Sequence, residues 1–345
     1  MKDDIILSIV LPIYGVEKYV AKCLDSILPQ LTPQTELIIV NDCTKDGSLK
    51  ICEKKIEKYC NASIVNHKVN SGISVARNTG ILHSSGKYCW FIDSDDCILN
   101  GAINLILENL KSGKDAYFFN HVRCNDNEVR SYLYDLMEMQ IDLKDETCVI
   151  NCMCDILSNK YGYEVWSKIF RKELIEKYNL NFPAQITYGE DLCFILKYVL
   201  KAKSIITINQ PIYCYYLHQQ SMMDKSQNNS KLLEMNGIIF NIKRVYEDTY
   251  CNDRNMFLIY GGIMHLAILH SWNLDLFSDL IGLKNNPYNI KMLNALKGKI
   301  LVLIKKYGKR NGTMICLETY MTRIALHGNK ILFDCIKNIG QLVKR

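Results

Sequence analysis

The first 125 residues alternate between two hydrophobic periods. Ile5–Tyr14 is a short, nearly continuous apolar run that stops at a turn, the pattern of a strand buried on both faces. Lys18–Leu28 then places Tyr19, Val20, Cys23, Leu24 and Ile27 at helical spacing. Glu36–Val40 is a second apolar run, and Ser48–Tyr59 returns to the helical period with Asp46 or Ser48 as its cap. A strand at Ala62–His67, a helix at Ile73–His83, a strand at Lys87–Ile92, a helix at Ala102–Leu110 and a strand at Ala116–Val122 continue the alternation. Strands separated by helices of this length predict parallel βαβ units. The expected fold class is therefore α/β, a mostly parallel sheet flanked by helices.

In such sheets ligands bind outside the carboxyl ends of the strands. Three of the first four strands end in unusual groups: Pro12-Ile13-Tyr14-Gly15, Asn41-Asp42 and Asp93-Ser94-Asp95-Asp96. Along an extended chain Asp93 and Asp95 face one side. Two close carboxylates repel unless a cation lies between them, and Mg²⁺ or Mn²⁺ suits hard oxygen ligands. The plainer reading is a capped turn, with Asp96 or Asn100 capping the helix at Ala102.

The other candidates have equally plain alternatives. Arg77 can pair with Asp93 or a diphosphate, or be a surface arginine. Asp42 can accept hydrogen bonds from a nucleobase or ribose, or serve the turn around Asp46-Gly47. Glu190-Asp191 precede an apolar helix, Leu192–Leu200, and offer either a general base or an ordinary acidic helix start. Cys148, Cys152 and Cys154 lack the spacing of a zinc site and read as buried or free thiols. No G-x-G-x-x-G or G-x-x-x-x-G-K-[ST] follows any strand, so the phosphate cradle of a nicotinamide or P-loop site is missing.

Residues 125–220 are less regular, and 230–345 read as helical. The polar stretch Ser226–Ser230 suggests a boundary between a domain at 1–225 and a basic helical region at 226–345. Charge sharpens that division. The net charge is +6, yet residues 291–345 carry twelve Lys or Arg against Glu318 and Asp334. The tail therefore has its own expected partner, an anionic membrane face before nucleic acid, or an oligomer contact. Fifteen cysteines, an odd number, do not suggest a disulfide framework, and a cytoplasmic home is expected. No signal peptide or spanning helix is expected either, because no uncharged apolar run reaches the ~18 residues needed.

Four ordered motifs now carry a resemblance: Pro12-Ile13-Tyr14-Gly15-Val16-Glu17, Val40-Asn41-Asp42 with Asp46-Gly47-Ser48, Ala76-Arg77-Asn78, and Phe91-Ile92-Asp93-Ser94-Asp95-Asp96. Together with Trp166-Ser167-Lys168 and Tyr188-Gly189-Glu190-Asp191, they resemble a family 2 glycosyltransferase of the GT-A fold. The similarity is to the bacterial branch that builds capsule, exopolysaccharide and O-antigen. The resemblance implies a donor site in which Pro12, Tyr14 and Glu17 line the nucleobase pocket and Asp42 binds the base. It puts Arg77 near the diphosphate, Asp93 and Ser94 against the ribose or sugar, and Mn²⁺ or Mg²⁺ on Asp95 with Asp93 (the DXD motif). Asp191 becomes the catalytic base with Glu190 beside it, and His218 and Trp166 become acceptor contacts. This sequence departs from the pattern at Gly15, where Asn is common, at Asn41-Asp42-Cys43, where two Asp and a Gly are common, and at Leu217, where Arg is common.

The implied reaction is inverting, metal-dependent transfer of a sugar from a nucleotide-sugar donor, UDP favoured. The acceptor is a hydroxyl of a saccharide or an undecaprenyl-linked saccharide at the inner membrane face, and nucleic acid is not an expected partner. The basic tail would then rest peripherally on the membrane. A nucleotidyltransferase is the first rival, but Tyr14-Gly15-Val16-Glu17 stands where its Gly-rich loop with Lys or Arg would be. A non-catalytic nucleotide-sugar or nucleic-acid binding protein is the second.

Overall fold

A computed structural model describes residues 5–124, 129–130, 136–157, 160–184, 186 and 189–216. Tyr188, Leu217, His218, the 225/226 boundary and the whole basic tail lie outside the described residues. Apart from the last part of one helix, beyond Cys152, the described residues belong to one compact unit.

The chain opens with β1 (Leu7–Ile13), α1 (Val20–Ile27), β2 (Thr35–Asn41), α2 (Ser48–Ile56), β3 (Ala62–Asn66), α3 (Ile73–His83) and β4 (Tyr88–Phe91). Each matches an expected element to within a few residues. There follow β5 (Cys97–Ile98), α4 (Ala102–Leu110), β6 (Ala116–Cys124), β7 (Val129–Arg130), β8 (Met139–Asp142) and α5 (Glu146–Leu157). The described part closes with β9 (Lys168–Arg171), α6 (Lys172–Lys177), α7 (Glu190–Val199) and β10 (Ser204–Tyr216).

One sheet runs in the order β3-β2-β1-β4-β9-β6-β10-β5, with β7 beside β6 and β8 beside β10. The pairs β1–β2, β2–β3, β1–β4 and β6–β10 are parallel. β9 is inserted antiparallel between β4 and β6, and β5, β7 and β8 also pair antiparallel. The sheet is thus mixed in its second half, which the βαβ rhythm of the first half did not foretell.

Every residue of β1 is buried, as a strand covered on both faces must be. Leu7, Ile9, Leu11 and Ile13 join the main core with α1, α4 and Trp90. On the other face Ile38 and Val40 of β2 pack on Ala76 of α3. Gly80 permits that approach, since a Cβ there would lie 2.2 Å from Val10 Cγ1.

β1 lies between β2 and β4, and the chain crosses from β3 back over the sheet to enter β4. The strand order reverses at β1/β4, and the crevice outside the carboxyl ends at such a switch point is where open α/β sheets bind ligands. Tyr14 follows β1 there, and Asp93–Asp96 follow β4.

One pair of cysteines is joined. Cys124 and Cys214, at the ends of neighbouring β6 and β10, form a disulfide with Cα atoms 6.1 Å apart. Among the described residues Cys148 and Cys152 of α5 are not part of any disulfide. A single bridge between adjacent strands is not a framework and leaves no trace in cysteine spacing. No helix among the described residues is long and apolar enough to cross a membrane.

Candidate active site

The acidic segment is a turn rather than a continuation of β4. Asp96 N–H donates to the Asp93 carbonyl at 3.1 Å, and β5 begins at Cys97. Exposure nevertheless alternates as expected: Asp93 and Asp95 are half-buried, while Ser94 and Asp96 are turned inward. Asp96 does not cap α4, whose N-cap is Gly101 with no side-chain bond. Its carboxylate instead accepts the Tyr213 hydroxyl at 2.7 Å and Tyr216 N–H at 2.7 Å. Burial, and then the charges of Asp95 and Asp93, push the Asp96 carboxyl well above the ordinary range.

Arg77 ties this turn to α7. From the second turn of α3 its Nη2 donates to Asp93 Oδ1 at 2.8 Å, and its Nη1 to Asp191 Oδ1 at 2.6 Å and Glu190 Oε1 at 3.1 Å. The side chain is 3% exposed. Of the two partners expected for Arg77, the structure shows Asp93, and the guanidinium also pairs with Glu190 and Asp191. α7 starts here because Gly189 adopts φ +85°, which lets the chain turn sharply into the helix. Asp191 Oδ2 accepts Val165 N–H at 3.1 Å.

One guanidinium among three carboxylates leaves excess negative charge. Burial raises the Asp191 carboxyl to about 8; Arg77 opposes the rise, and Glu190 and Asp93 add to it. A carboxyl held near neutrality at the end of a sheet is suited to taking a proton. The same three charges outweigh burial at Arg77 and raise its guanidinium further.

The donor side is built from two interlocked loops. Gly15 N–H donates to Thr44 Oγ1, Val16 N–H to Ser48 Oγ and Glu17 N–H to Asp46 Oδ2, at 2.9–3.0 Å. Gly47 N–H returns the link to Glu17 Oε2 at 2.9 Å. Asp46 also accepts the Ser48 amide at 3.1 Å, but the N-cap of α2 is Gly47 and not Asp46 or Ser48. Although burial works against it, hydrogen bonds from Ser48 and Thr44 and the amides of Glu17 and Ser48 lower the Asp46 carboxyl to about 2. Tyr14, half exposed at 52%, stands clear of this zipper, and Pro12 is buried within β1.

Asp42 is 3% exposed and already accepts Ser71 N–H, Gly72 N–H and His67 Nδ1, at 2.7–2.9 Å. The loop before α3 hangs on this carboxylate. Cys43 adopts φ +58°, a left-handed conformation that accounts for the glycine common at this place in the motif.

Trp166 is 8% exposed and stacks on Tyr213 at 4.4 Å, with His121 edge-on at 4.5 Å. It is therefore packed into the site wall. Behind it Lys168, fully buried, donates to the Glu164 carbonyl at 2.7 Å, to Glu164 Oε1 at 3.2 Å and to Ser167 Oγ at 3.2 Å. Sequence reasoning missed Tyr213 and Val165. A tyrosine in a strand and a backbone amide carry no motif, so only the fold reveals them.

The donor set fits a divalent cation of one kind. Asp93 and Asp95 are hard oxygen donors on the exposed side of the turn. No group of three or more His, Cys, Asp or Glu able to hold a metal occurs among the described residues. Two carboxylates are the number a Mg²⁺-type ion takes from protein when substrate phosphates complete its shell.

The family profile described as Glycosyl transferase family 2 matches residues 8–183, just over half of the chain, a stretch that includes Arg77 and the acidic turn. The chain belongs to glycosyl transferase family 2. It is 28% identical over 224 residues to the uncharacterized glycosyltransferase EpsJ of Bacillus subtilis, covering 64% of this chain and 63% of EpsJ. It is 27% identical over 220 residues to the glycosyltransferase GlyA of Streptococcus pneumoniae, covering 63% of this chain and 31% of GlyA. The chain thus spans less than two thirds of these relatives' length. The crystal structure of Staphylococcus aureus TarS 1–349 in complex with UDP-GlcNAc matches with a TM-score of 0.69 at 18% identity, over 97% of this chain and 91% of that one. This likeness establishes the GT-A fold.

Proposed function

We propose that this chain is an inverting, divalent-metal-dependent glycosyltransferase that uses a UDP-sugar donor. Its acceptor is a hydroxyl of a saccharide or lipid-linked saccharide in cell-surface polysaccharide synthesis. The observation that carries this reading is the Arg77 link, which brings the acidic turn after β4 and the Asp191 carboxyl of α7 to one place. The UDP-GlcNAc complex of TarS and the family's match over 8–183 support a nucleotide-sugar donor.

The chemistry follows from that arrangement. Asp191 takes the proton of the acceptor hydroxyl, whose oxygen attacks the anomeric carbon. The bond from that carbon to the diphosphate oxygen breaks, its electron pair leaves on the diphosphate, and the configuration inverts. General-base help of this kind is worth about 10²–10⁴ in rate. A divalent cation on Asp95, with Asp93, would neutralise charge on the leaving diphosphate. Arg77 holds Asp191, Glu190 and Asp93 in register. Tyr14 and Glu17 offer a surface for the base, with Asp42 as the anchor of the loop beneath it.

The test is thermal shift against UDP, GDP, dTDP and ADP, each with Mn²⁺, Mg²⁺ or EDTA, on wild type and Asp95→Ala. A ligand at 100 times its Kd adds about 2.7 kcal/mol of stability. The expected result is a metal-dependent rise with UDP that Asp95→Ala abolishes. Folded protein that shifts with no nucleotide would sink the proposal, and a shift with ADP alone would favour a nucleotidyltransferase.

A further inference from the structure

The acidic turn is fastened from α1, from β10 and, through Asp93, from Arg77 of α3. Cys23 Sγ of α1 approaches the Asp93 carbonyl at 3.9 Å, Ile98 N–H donates to Ser26 Oγ at 3.0 Å, and Leu99 N–H donates to the Ile212 carbonyl at 2.9 Å. The tightest link is a single phenol. The Tyr213 hydroxyl donates to Asp96 Oδ2 at 2.7 Å and accepts Asp93 N–H at 3.2 Å, so one oxygen joins the two ends of the turn. Asp96 Oδ1 accepts Tyr216 N–H at 2.7 Å, which fixes the carboxylate from the backbone of the same strand. Tyr213 itself is fully buried and held flat against Trp166 at 4.4 Å and 14°. Its ring cannot swing without disturbing the site wall.

We propose that the Tyr213–Asp96 pair is a brace that sets Asp93 and Asp95 at the spacing the cation and the donor diphosphate require, which makes Tyr213 a positioning residue. This rests on the metal-dependent reading above and adds to it a residue that touches neither metal nor donor. Groups in this position matter because a ligand's orientation is set by what holds it from behind. β10 thus serves two ends: its backbone extends the sheet, and its Tyr213 hydroxyl and Tyr216 amide reach the acidic turn.

The experiment compares wild type, Tyr213→Phe, Asp96→Asn and Asp95→Ala by calorimetric titration of UDP in EDTA and of Mn²⁺ in saturating UDP, well below each melting temperature. Tyr213→Phe keeps the ring and its stacking and removes only the hydroxyl. Asp96→Asn keeps an oxygen for Tyr216 N–H and disturbs the same link from the other end. For both, the Mn²⁺ Kd is expected to rise about tenfold or more, while the metal-free UDP Kd moves less than about twofold. A merely structural role would weaken both bindings together or neither. Folded Tyr213→Phe protein with wild-type Mn²⁺ affinity would overturn the brace and leave the transferase reading standing. Absence of Mn²⁺ binding by wild type itself would overturn the metal reading, and the brace with it.

Discussion

Arg77 Nη1 lies 2.6 Å from Asp191 Oδ1, and the same guanidinium reaches Asp93 at 2.8 Å from its other nitrogen. An arginine held in this way sets the geometry of three carboxylates. Its replacement should therefore show in kcat before KM. Arg77→Lys keeps one charge but cannot span three carboxylates, and misplacement of the base by about 1 Å costs ~10² in rate. Transfer should fall by about that factor while the donor KM stays within about threefold. Arg77→Ala strips the guanidinium from three buried or half-buried carboxylates. It should destabilise by about 3–5 kcal/mol, read as a lower midpoint in urea. A large rise in donor KM with kcat unchanged in Arg77→Lys would place the arginine at the diphosphate.

The Asp191 carboxyl makes stability depend on pH with a definite sign. Its folded value, about 8, lies above the ordinary carboxyl value of 3.8. The folded state thus binds more protons between those values, and stability is lost as pH rises from about 4 to about 8. Asp191→Asn cannot titrate and should lack this contribution. The difference in Tm, variant minus wild type, should grow by a few degrees between pH 5 and pH 8.5 and flatten above. A difference that stays constant across that range would show that Asp191 titrates as an ordinary carboxyl. The same variant should lose about 10²–10⁴ in transfer rate, measured on the pure sugar nucleotide with a saccharide acceptor.

Asp42 offers a test of loop against ligand. It accepts two backbone amides and His67, so Asp42→Asn turns one acceptor atom into a donor that faces an N–H. A buried mismatch of this kind costs about 1–3 kcal/mol. Melting should show that loss in the absence of any nucleotide, and UDP affinity should fall as the loop before α3 loosens. Unchanged stability with weakened UDP binding would instead make Asp42 a direct contact to the base.

The first half of the fold was legible because its elements are local. β1 to β4 and the helices between them state their period in runs such as ELIIV, and the switch-point rule then puts Tyr14 and Asp93–Asp96 at one crevice. The candidate residues were legible as acidic or aromatic groups at strand ends. Their pairing was not. Arg77 reaches Glu190 and Asp191 across more than a hundred residues, and nothing in spacing distinguishes that from a surface arginine. β9 was missed because four residues, KIFR, with two charges carry no period, and it becomes a strand only by fitting between β4 and β6. Asp96 misled for a related reason: a local cap competes on paper with a bond to Tyr213 that only the sheet can make.

Lys168 extends the same argument to the segment that supports Asp191. Its ammonium is enclosed, and burial lowers its pKa against the pull of Glu164. It is held by the Glu164 carbonyl and carboxylate and by Ser167, one residue to either side of the Val165 amide and Trp166. Val165 N–H donates to Asp191 Oδ2 at 3.1 Å, and the Trp166 carbonyl accepts Trp90 Nε1–H at 2.7 Å. Lys168→Met preserves volume but leaves Glu164 without its cation, a loss of about 3–5 kcal/mol when a buried pair is broken on one side. Adding Glu164→Gln removes the stranded charge and should recover part of that stability. Activity should not recover with it, because the Val165 amide is no longer pinned where Asp191 needs it. The double variant therefore separates the two roles: restored Tm with depressed kcat supports a lysine that positions the base, and restored Tm with full kcat reduces it to a structural ion pair.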